Sequence, residues 1–459
     1  MLNMSLKALT PVNIISTLIV LLIPFWNIPH TIAIRYSLAL ILLITIFYLK
    51  PNLKELDKFL WLPAIWAVYL IIYTFLLADN FQIAITGFKS EWLKSILFMI
   101  IGLSAGLILS KSKSQARLFL VFGLASLFPI LIHITLFIQK AITTQSIPFG
   151  YWGLHEHHAD LGYTGIQAIT FLTIYLVFFA KGLLVRLLIG ISISLSILSS
   201  IIARGRAGSL FTIISLLMNT LLALKYESAR DIFKYKKIIL IVSIAIVSSM
   251  TIISKSVDSD RWRGVTERLH SGFHGDALQI VCDGPAALHK SLSNPNLIQN
   301  DKYNKIVNDL NTGDSYRITT ARAGIQLIEE FPMGMSGSKD AYAAAIKTKC
   351  ETPSIKMDHT HNGWIDTALS IGIPGVMIYF VLMIFFGYFG WANFKNPNKI
   401  VKAWAIALFS LTILWSLRAI FDSVQRDQML EIQSFFLPFA MACMIGLKAN
   451  SNGRNDLQT

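Results

Sequence analysis

Long uncharged runs recur along the chain, and they are apolar on every side rather than at alternating positions. A hydrocarbon layer about 30 Å thick needs roughly 20 helical residues to cross it, whereas membrane barrel strands are shorter and alternate polar with apolar residues. The pattern therefore predicts helices. The expected spans have cores at Val12–Trp26, Ile32–Leu49, Phe59–Leu77, Leu93–Leu109, Leu118–Ile138, Leu161–Ala180, Leu183–Ile202, Ala207–Leu224, Ile238–Ile253, Ile365–Trp391, Ala403–Leu417 and Glu431–Leu447. Ala8–Pro29 carries no charge and no small-x-small cleavage site closes it, so it reads as a retained first span and not as a signal peptide. The expected fold is an all-α polytopic membrane protein with about twelve transmembrane helices.

One hydrophilic stretch, roughly Ser254–Gly363, interrupts the pattern. It is too long for a structureless loop, so it is expected to form a small helical cap domain. The chain then divides into 1–253 (helices one to nine), 254–363 (the cap) and 364–459 (helices ten to twelve and a tail). Within the cap, Asp314–Glu330 reads as an amphipathic helix. Asp314 is its expected N-cap, Ile318, Ala321, Ile325 and Ile328 its apolar stripe, and Pro332 and Gly334 its terminator. There is no internal repeat.

Composition agrees with this class. Of the 459 residues 54% are hydrophobic and only 14% charged, against about 25% charged in soluble domains. That excludes an ordinary soluble enzyme, a disordered chain and a secreted disulfide scaffold. The net charge of +14 acquires meaning once the basic residues are sorted by loop. With the N-terminus cytoplasmic, 19 of the 40 Lys and Arg fall on the cytoplasmic side, as Lys7 and clusters around residues 50–58, 111–117, 181–186, 225–237, 395–402 and 448–454. Eight fall on the other side, and the remaining 13 lie in the cap beside 13 acids. The bias predicts both termini inside and the cap outside the cytoplasm, so the charge is no sign of nucleic acid binding.

Polar residues at membrane depth are costly and invite a functional reading. Arg204 and Arg206 stand in an Ala-Arg-Gly-Arg-Ala-Gly turn on the side where arginine is scarce. Guanidinium groups fork onto phosphate oxygens, while the competing reading is a tight turn with snorkelling arginines. Arg317 stands at the start of the amphipathic helix, where a helix N-terminus adds partial positive charge and makes an anion site, while the competing reading, favoured for this cluster taken alone, is a solvated surface arginine. The segment Asp358-His359-Thr360-His361-Asn362-Gly363-Trp364-Ile365-Asp366 opens the tenth span. His361 could act there as a general base, oriented by Asn362 or Asp366. His359 and His361 also fit paired metal ligands, or interfacial histidines without chemistry. His155-Glu156-His157-His158-Ala159-Asp160 carries a metal reading as well, beside that of a pH-sensitive or substrate-lining loop. Cys443 lies within the last span; Cys282 and Cys350 share the cap, where an oxidising compartment permits a disulfide.

His361-Asn362, followed on the same helix by Gly372 and Gly375, resembles the histidine signature of bacterial O-antigen ligases and their polymerase relatives. Arg206-Ala207-Gly208 is similar to that family's arginine turn, and Arg317 with Pro332-x-Gly334 to its loop arginine and the turn beyond. Pro374 stands where the ligase pattern usually has threonine, and no bulky aromatic stands near Ala323. The resemblance implies a GT-C-like, metal-independent, inverting glycosyltransferase of lipopolysaccharide biosynthesis that needs no cofactor. It would work at the periplasmic face of the inner membrane. The donor would be an undecaprenyl-diphosphate-linked glycan and the acceptor the lipid A-core oligosaccharide. His361 would be catalytic, Arg206, Arg317 and Arg204 would meet the diphosphate, and Asn362, His359 and Asp366 would support them. The alternatives are an O-antigen polymerase, a protein O-oligosaccharyltransferase and, from another class, a twelve-helix transporter or flippase.

Overall fold

In a computed structural model of the chain the apolar runs are helices packed side by side, and no strand occurs among the described residues. The structure describes residues 10–28, 30–112, 114–150, 158–226, 243–253, 256, 264–285, 287, 301–310, 312–423 and 425–455. The first part comprises α1 (Pro11–Trp26), α2 (Ile32–Leu49), a 3₁₀ turn (Leu53–Phe59), α3 (Trp61–Ile72) and a π turn (Tyr73–Leu77). Next come α4 (Phe81–Gly87), a second π turn (Phe88–Trp92), α5 (Leu93–Ser110) and α6 (Gln115–Thr144). They are followed by α7 (His158–Phe178), α8 (Leu183–Ile202), α9 (Arg206–Tyr226) and α10 (Ser243–Ile253). The hydrophilic stretch holds α11 (Val265–Ser271), α12 (Ala277–Asp283), α13 (Asp301–Leu310), α14 (Gly313–Glu330) and α15 (Ala341–Lys349). The chain ends with α16 (Gly363–Ala392), α17 (Lys399–Arg418) and α18 (Asp427–Asn455).

Every one of the twelve apolar segments overlaps a helix, but their lengths differ. Among the described residues nine helices are long and apolar enough to cross a membrane, or ten if the pair Leu53–Phe59 and Trp61–Leu77, bent by 81°, is one span. Pro11–Trp26 and Ser243–Ile253 are apolar but shorter; residues 238–242 of the expected ninth span lie outside the described residues. The helical run expected at Leu93–Leu109 starts earlier, at Phe81, and passes through the π turn that carries Glu91.

Close packing follows small residues, since van der Waals contact rather than water exclusion joins helices in lipid. A Cβ on Gly102 or Gly106 of α5 would meet the Phe435 or Phe439 carbonyl oxygen of α18 at 2.3 or 2.4 Å. Aromatic rings fill the centre, with Phe119 and Trp404 4.3 Å apart. At one end of the bundle Lys402 Nζ donates to the Tyr226 carbonyl over 2.8 Å and the Tyr226 and Phe394 rings meet. The hydrophilic stretch covers the opposite end.

That stretch has its own core of Ala277, Ile280, Val281, Leu310, Ala323, Leu327, Tyr342, Ile346 and Ile355, joined by Leu369 of α16. Cys282 and Cys350 form a disulfide between the end of α12 and the end of α15. In α14 two expectations are corrected. Thr312, not Asp314, is the N-cap residue, and Asp314 lies in the first turn with its carboxylate turned to arginines. The buried face is Ser315, Thr319, Thr320, Ala323, Gly324 and Leu327, while Ile325 of the expected stripe is 51% exposed. Small side chains win this face because α16 approaches closely: a Cβ on Gly324 would meet Ile365 and Thr360 side-chain carbons at 2.6 and 2.7 Å.

The segment after α14 docks into a break in α16. Ile371 and Gly372 leave helical geometry, Gly372 with φ +79°, and the freed carbonyls find new donors. Met335 N bonds to Leu369 O over 2.6 Å, Gly337 N to Ser370 O over 2.7 Å, and Tyr69 Oη to Ile371 O over 2.6 Å. Pro374 has no N–H to offer the Ser370 carbonyl four residues back, so the break loses nothing there. Gly334, φ +82°, faces it so closely that a Cβ would lie 2.5 Å from Gly372 N.

Candidate functional site

Between the membrane helices and the hydrophilic stretch lies an open cleft of ≈ 710 Å³. Arg317, His359 and His361 line it together, with Asp358, Asp422 and Arg426 beside them. Arg317 thus shares one space with the His359–His361 pair, which lies far from it in sequence, and the local chain explains how.

Asn362 caps α16: its Oδ1 accepts from Trp364 N and Ile365 N at 3.1 Å, satisfying two of the donors that a helix start leaves open. Its Nδ2 donates to the Ile420 carbonyl over 3.1 Å, and Gly363 N to the Ala419 carbonyl over 2.7 Å. His361, one residue before the cap, takes φ +58°, a conformation rare outside glycine. Such strain persists only where the surroundings impose it. Asp366 supplies part of that frame. It accepts from Thr360 N and Thr360 Oγ1 at 2.9 and 2.8 Å and from Ser423 Oγ. Asn362 and Asp366 therefore orient the backbone that carries His361. The rings of His359 and His361 stand 4.4 Å apart, edge to face. Burial, with Arg426 adding to it, outweighs the pull of Asp366 and holds the His359 pKa below its ordinary value, so this imidazole is neutral near neutral pH.

Arg317 reaches the cleft from α14, whose Thr320 Oγ1 donates to the Thr360 carbonyl over 3.3 Å. One turn before it, Asp314 accepts both arms of Arg206, Nη1 at 3.2 Å and Nη2, and Arg268 Nε at 3.0 Å. Burial opposes the ionised carboxyl, but these hydrogen bonds and charges outweigh it and hold the Asp314 pKa below the usual carboxylate range. The cleft lining includes Arg317 and neither Arg206 nor Arg204. Arg204 forms the α8–α9 turn with φ +58°, its N–H on the Ile201 carbonyl.

Of the sequence segment 155–160, residues 155–157 lie outside the described residues, and His158 begins α7. Among the described residues no three His, Cys, Asp or Glu side chains converge in a metal-holding group.

Sequence reasoning passed over a second set of charges in the same cleft: Arg35, Glu91, Lys94, Lys339, Arg426 and Glu431. Arg35, Glu91 and Glu431 were visible as ionisable residues in apolar surroundings, the signal that would have found them. Arg418 is another; it is fully buried, with its guanidinium 3.7 Å from the Tyr163 ring centroid and Nη2 3.6 Å from Asp422.

Compared with known families, residues 161–380 match the family described as O-antigen ligase, a range that includes Arg206, Arg317, His361, Gly372 and Gly375. No curated protein matches the chain.

Proposed function

We propose, from the premise that the chain belongs to the O-antigen ligase/polymerase superfamily, that it is the ligase. It would transfer glycan from an undecaprenyl-diphosphate carrier to the lipid A-core oligosaccharide, at the periplasmic face of the bacterial inner membrane, with both termini cytoplasmic. The observation that carries this reading is the cleft in which a cation, Arg317, and a strained histidine, His361, face one space at the end of the helix bundle. The membrane brings a lipid-borne donor to that height.

In this reading His361 takes the proton of the acceptor hydroxyl as its oxygen attacks the anomeric carbon. The bond from that carbon to the diphosphate breaks, and the lipid diphosphate leaves with the electron pair. Attack opposite the leaving group inverts the anomeric centre. Fixed cations favour the charge that grows on the diphosphate, which is the role of Arg317. Arg206, held by Asp314 one helical turn before Arg317, would exchange that carboxylate for the diphosphate when donor enters, and Arg204 would assist from the turn. Guanidinium groups then do what a metal ion does elsewhere, and the reaction proceeds in EDTA.

Reconstitution with purified lipid-linked donor and lipid A-core tests this. The wild type should yield glycan-capped lipid A-core on a gel. His361→Ala should lower the rate by about 10²–10⁴-fold and Arg317→Ala by about 10²–10³-fold, with protein abundance unchanged. Product found as a longer lipid-linked glycan would instead identify a polymerase, and normal capping by His361→Ala would remove that residue from the chemistry.

A further inference from the structure

Arg35 and Glu431 are buried together at the other end of the cleft, 7% and 2% exposed. A buried carboxylate needs its lone pairs satisfied, and here they are: Glu431 accepts from Trp26 Nε1 at 3.2 Å and Tyr36 Oη at 2.5 Å, and pairs with Arg35 Nε at 3.2 Å. These contacts fix Arg35 by its Nε edge beside Glu431, and its side chain also hydrogen-bonds Tyr36. Lys94 completes the corner. Its Nζ and the Arg35 Cζ each lie 5.2 Å from the Tyr36 ring centroid, so the two cations are neighbours across one aromatic ring. Glu431 neutralises one of them. Glu91, a turn before Lys94, is turned instead to Asp427 N, which it holds at 2.6 Å. Among the described residues no carboxylate lies within ion-pair distance of Lys94.

Two cations, Arg35 and Lys94, beside the one ion-pairing carboxylate, Glu431, leave a surplus of positive charge in this partly enclosed corner, which favours an anion. The lining there also holds apolar Trp26, Ile28, Ile32 and Met429 beside polar Asn27, His30, Ser90 and Gln428, and Ile32 is 58% exposed. Cations beside exposed apolar side chains suit a phosphate carried on a hydrocarbon anchor.

We propose that Arg35 and Lys94 form a second lipid-phosphate station, which seats the phosphate of the membrane-anchored acceptor while the donor diphosphate sits at Arg317. The assignment of the two guests rests on the transferase reading above; the station itself does not. One cleft with two phosphate positions, one beside His361 and one beyond the Glu91–Asp427 contact, would bring two lipid-borne substrates to a common space without either entering water.

The test is a binding measurement on the full chain in nanodiscs, with two probes: a bisphosphorylated disaccharide lipid of the lipid A type, and undecaprenyl diphosphate. Affinity for the first should fall about tenfold in Lys94→Gln, recover in Lys94→Arg and stay unchanged in Arg317→Ala, whereas undecaprenyl diphosphate should depend on Arg317. The dephosphorylated disaccharide lipid should bind wild type and Lys94→Gln equally. Two undecaprenyl diphosphates per protein, one lost with each variant, would also support the station and identify its guest as a second lipid-linked glycan. Equal losses with phosphorylated and dephosphorylated probes would overturn it. So would the loss of one and the same undecaprenyl diphosphate in both variants. Binding as expected without any transfer in reconstitution would sink the transferase reading and leave the station standing.

Discussion

Asp314 ties three parts of the molecule together at the scale of one carboxylate: α14, which bears it, Arg206 at the start of α9, and Arg268 in α11. From the sequence Arg206 reads as a phosphate ligand; in the fold its fork already holds a carboxylate, a group of similar geometry. Both statements are compatible if the donor displaces Asp314, and a charge swap separates them. Arg206→Asp combined with Asp314→Arg should restore the thermal stability that either single change lowers by roughly 1–3 kcal/mol. Transfer should stay about a hundredfold down, because no cation then stands at the start of α9. Recovery of transfer would make Arg206 a tether alone. The pH dependence has a definite sign. The folded pKa of Asp314 lies below its unfolded value, so its contribution is complete above the unfolded value of about 3.9 and fades as pH falls through the folded one. Thermal unfolding followed down through this range should show a wild-type loss that Asp314→Asn lacks.

Helices α14 and α16 show what determines a single element. The span of α14 and its end at Pro332–Gly334 were legible, because breakers and periodicity are local properties. Its buried face was not. Thr319, Ala323 and Gly324 are inside and Ile325 outside, since α16 approaches too closely for an isoleucine, and that distance is set by another part of the chain. The break in α16 is similar. Gly372 and Gly375 were noted through a family resemblance, and Pro374 as a departure from it. The reason for the glycine is the turn at Gly334, whose backbone occupies the place of a Gly372 side chain. Gly372→Ala must therefore both hold a positive φ and push Met333, whose carbonyl carbon would lie 2.8 Å from the new Cβ. A cost of about 2–4 kcal/mol is expected, read as a lowered melting temperature, together with faster proteolysis at the 331–338 segment. A variant as stable as the wild type would show that the two backbones can part.

Across the whole molecule, the hydrophilic stretch is seated on the bundle by α16 and closed on itself by the Cys282–Cys350 bond, which links residues 68 apart. Removing such a crosslink typically costs about 2–5 kcal/mol, and it should be felt locally. Hydrogen exchange in Cys282→Ser is expected to quicken in α12 and α15 and to stay unchanged in α5 and α18, which pack independently of it. Uniform loosening of the bundle would contradict that separation. The molecule also shows what each level decides. Hydrophobic runs, breakers and charged residues are written residue by residue, because a bilayer selects them by length and charge alone; they determined the helical class, the position of the hydrophilic stretch along the chain and the histidine and arginine candidates. Tertiary structure decided which of these meet. His361 and Arg317 share a cleft, Arg206 is held on a carboxylate one turn before Arg317, and Arg35, Lys94 and Glu431 join from helices at both ends of the chain. Convergence of that kind depends on distances between elements, and those are fixed by how closely small residues let two backbones approach, a quantity no single stretch of sequence contains.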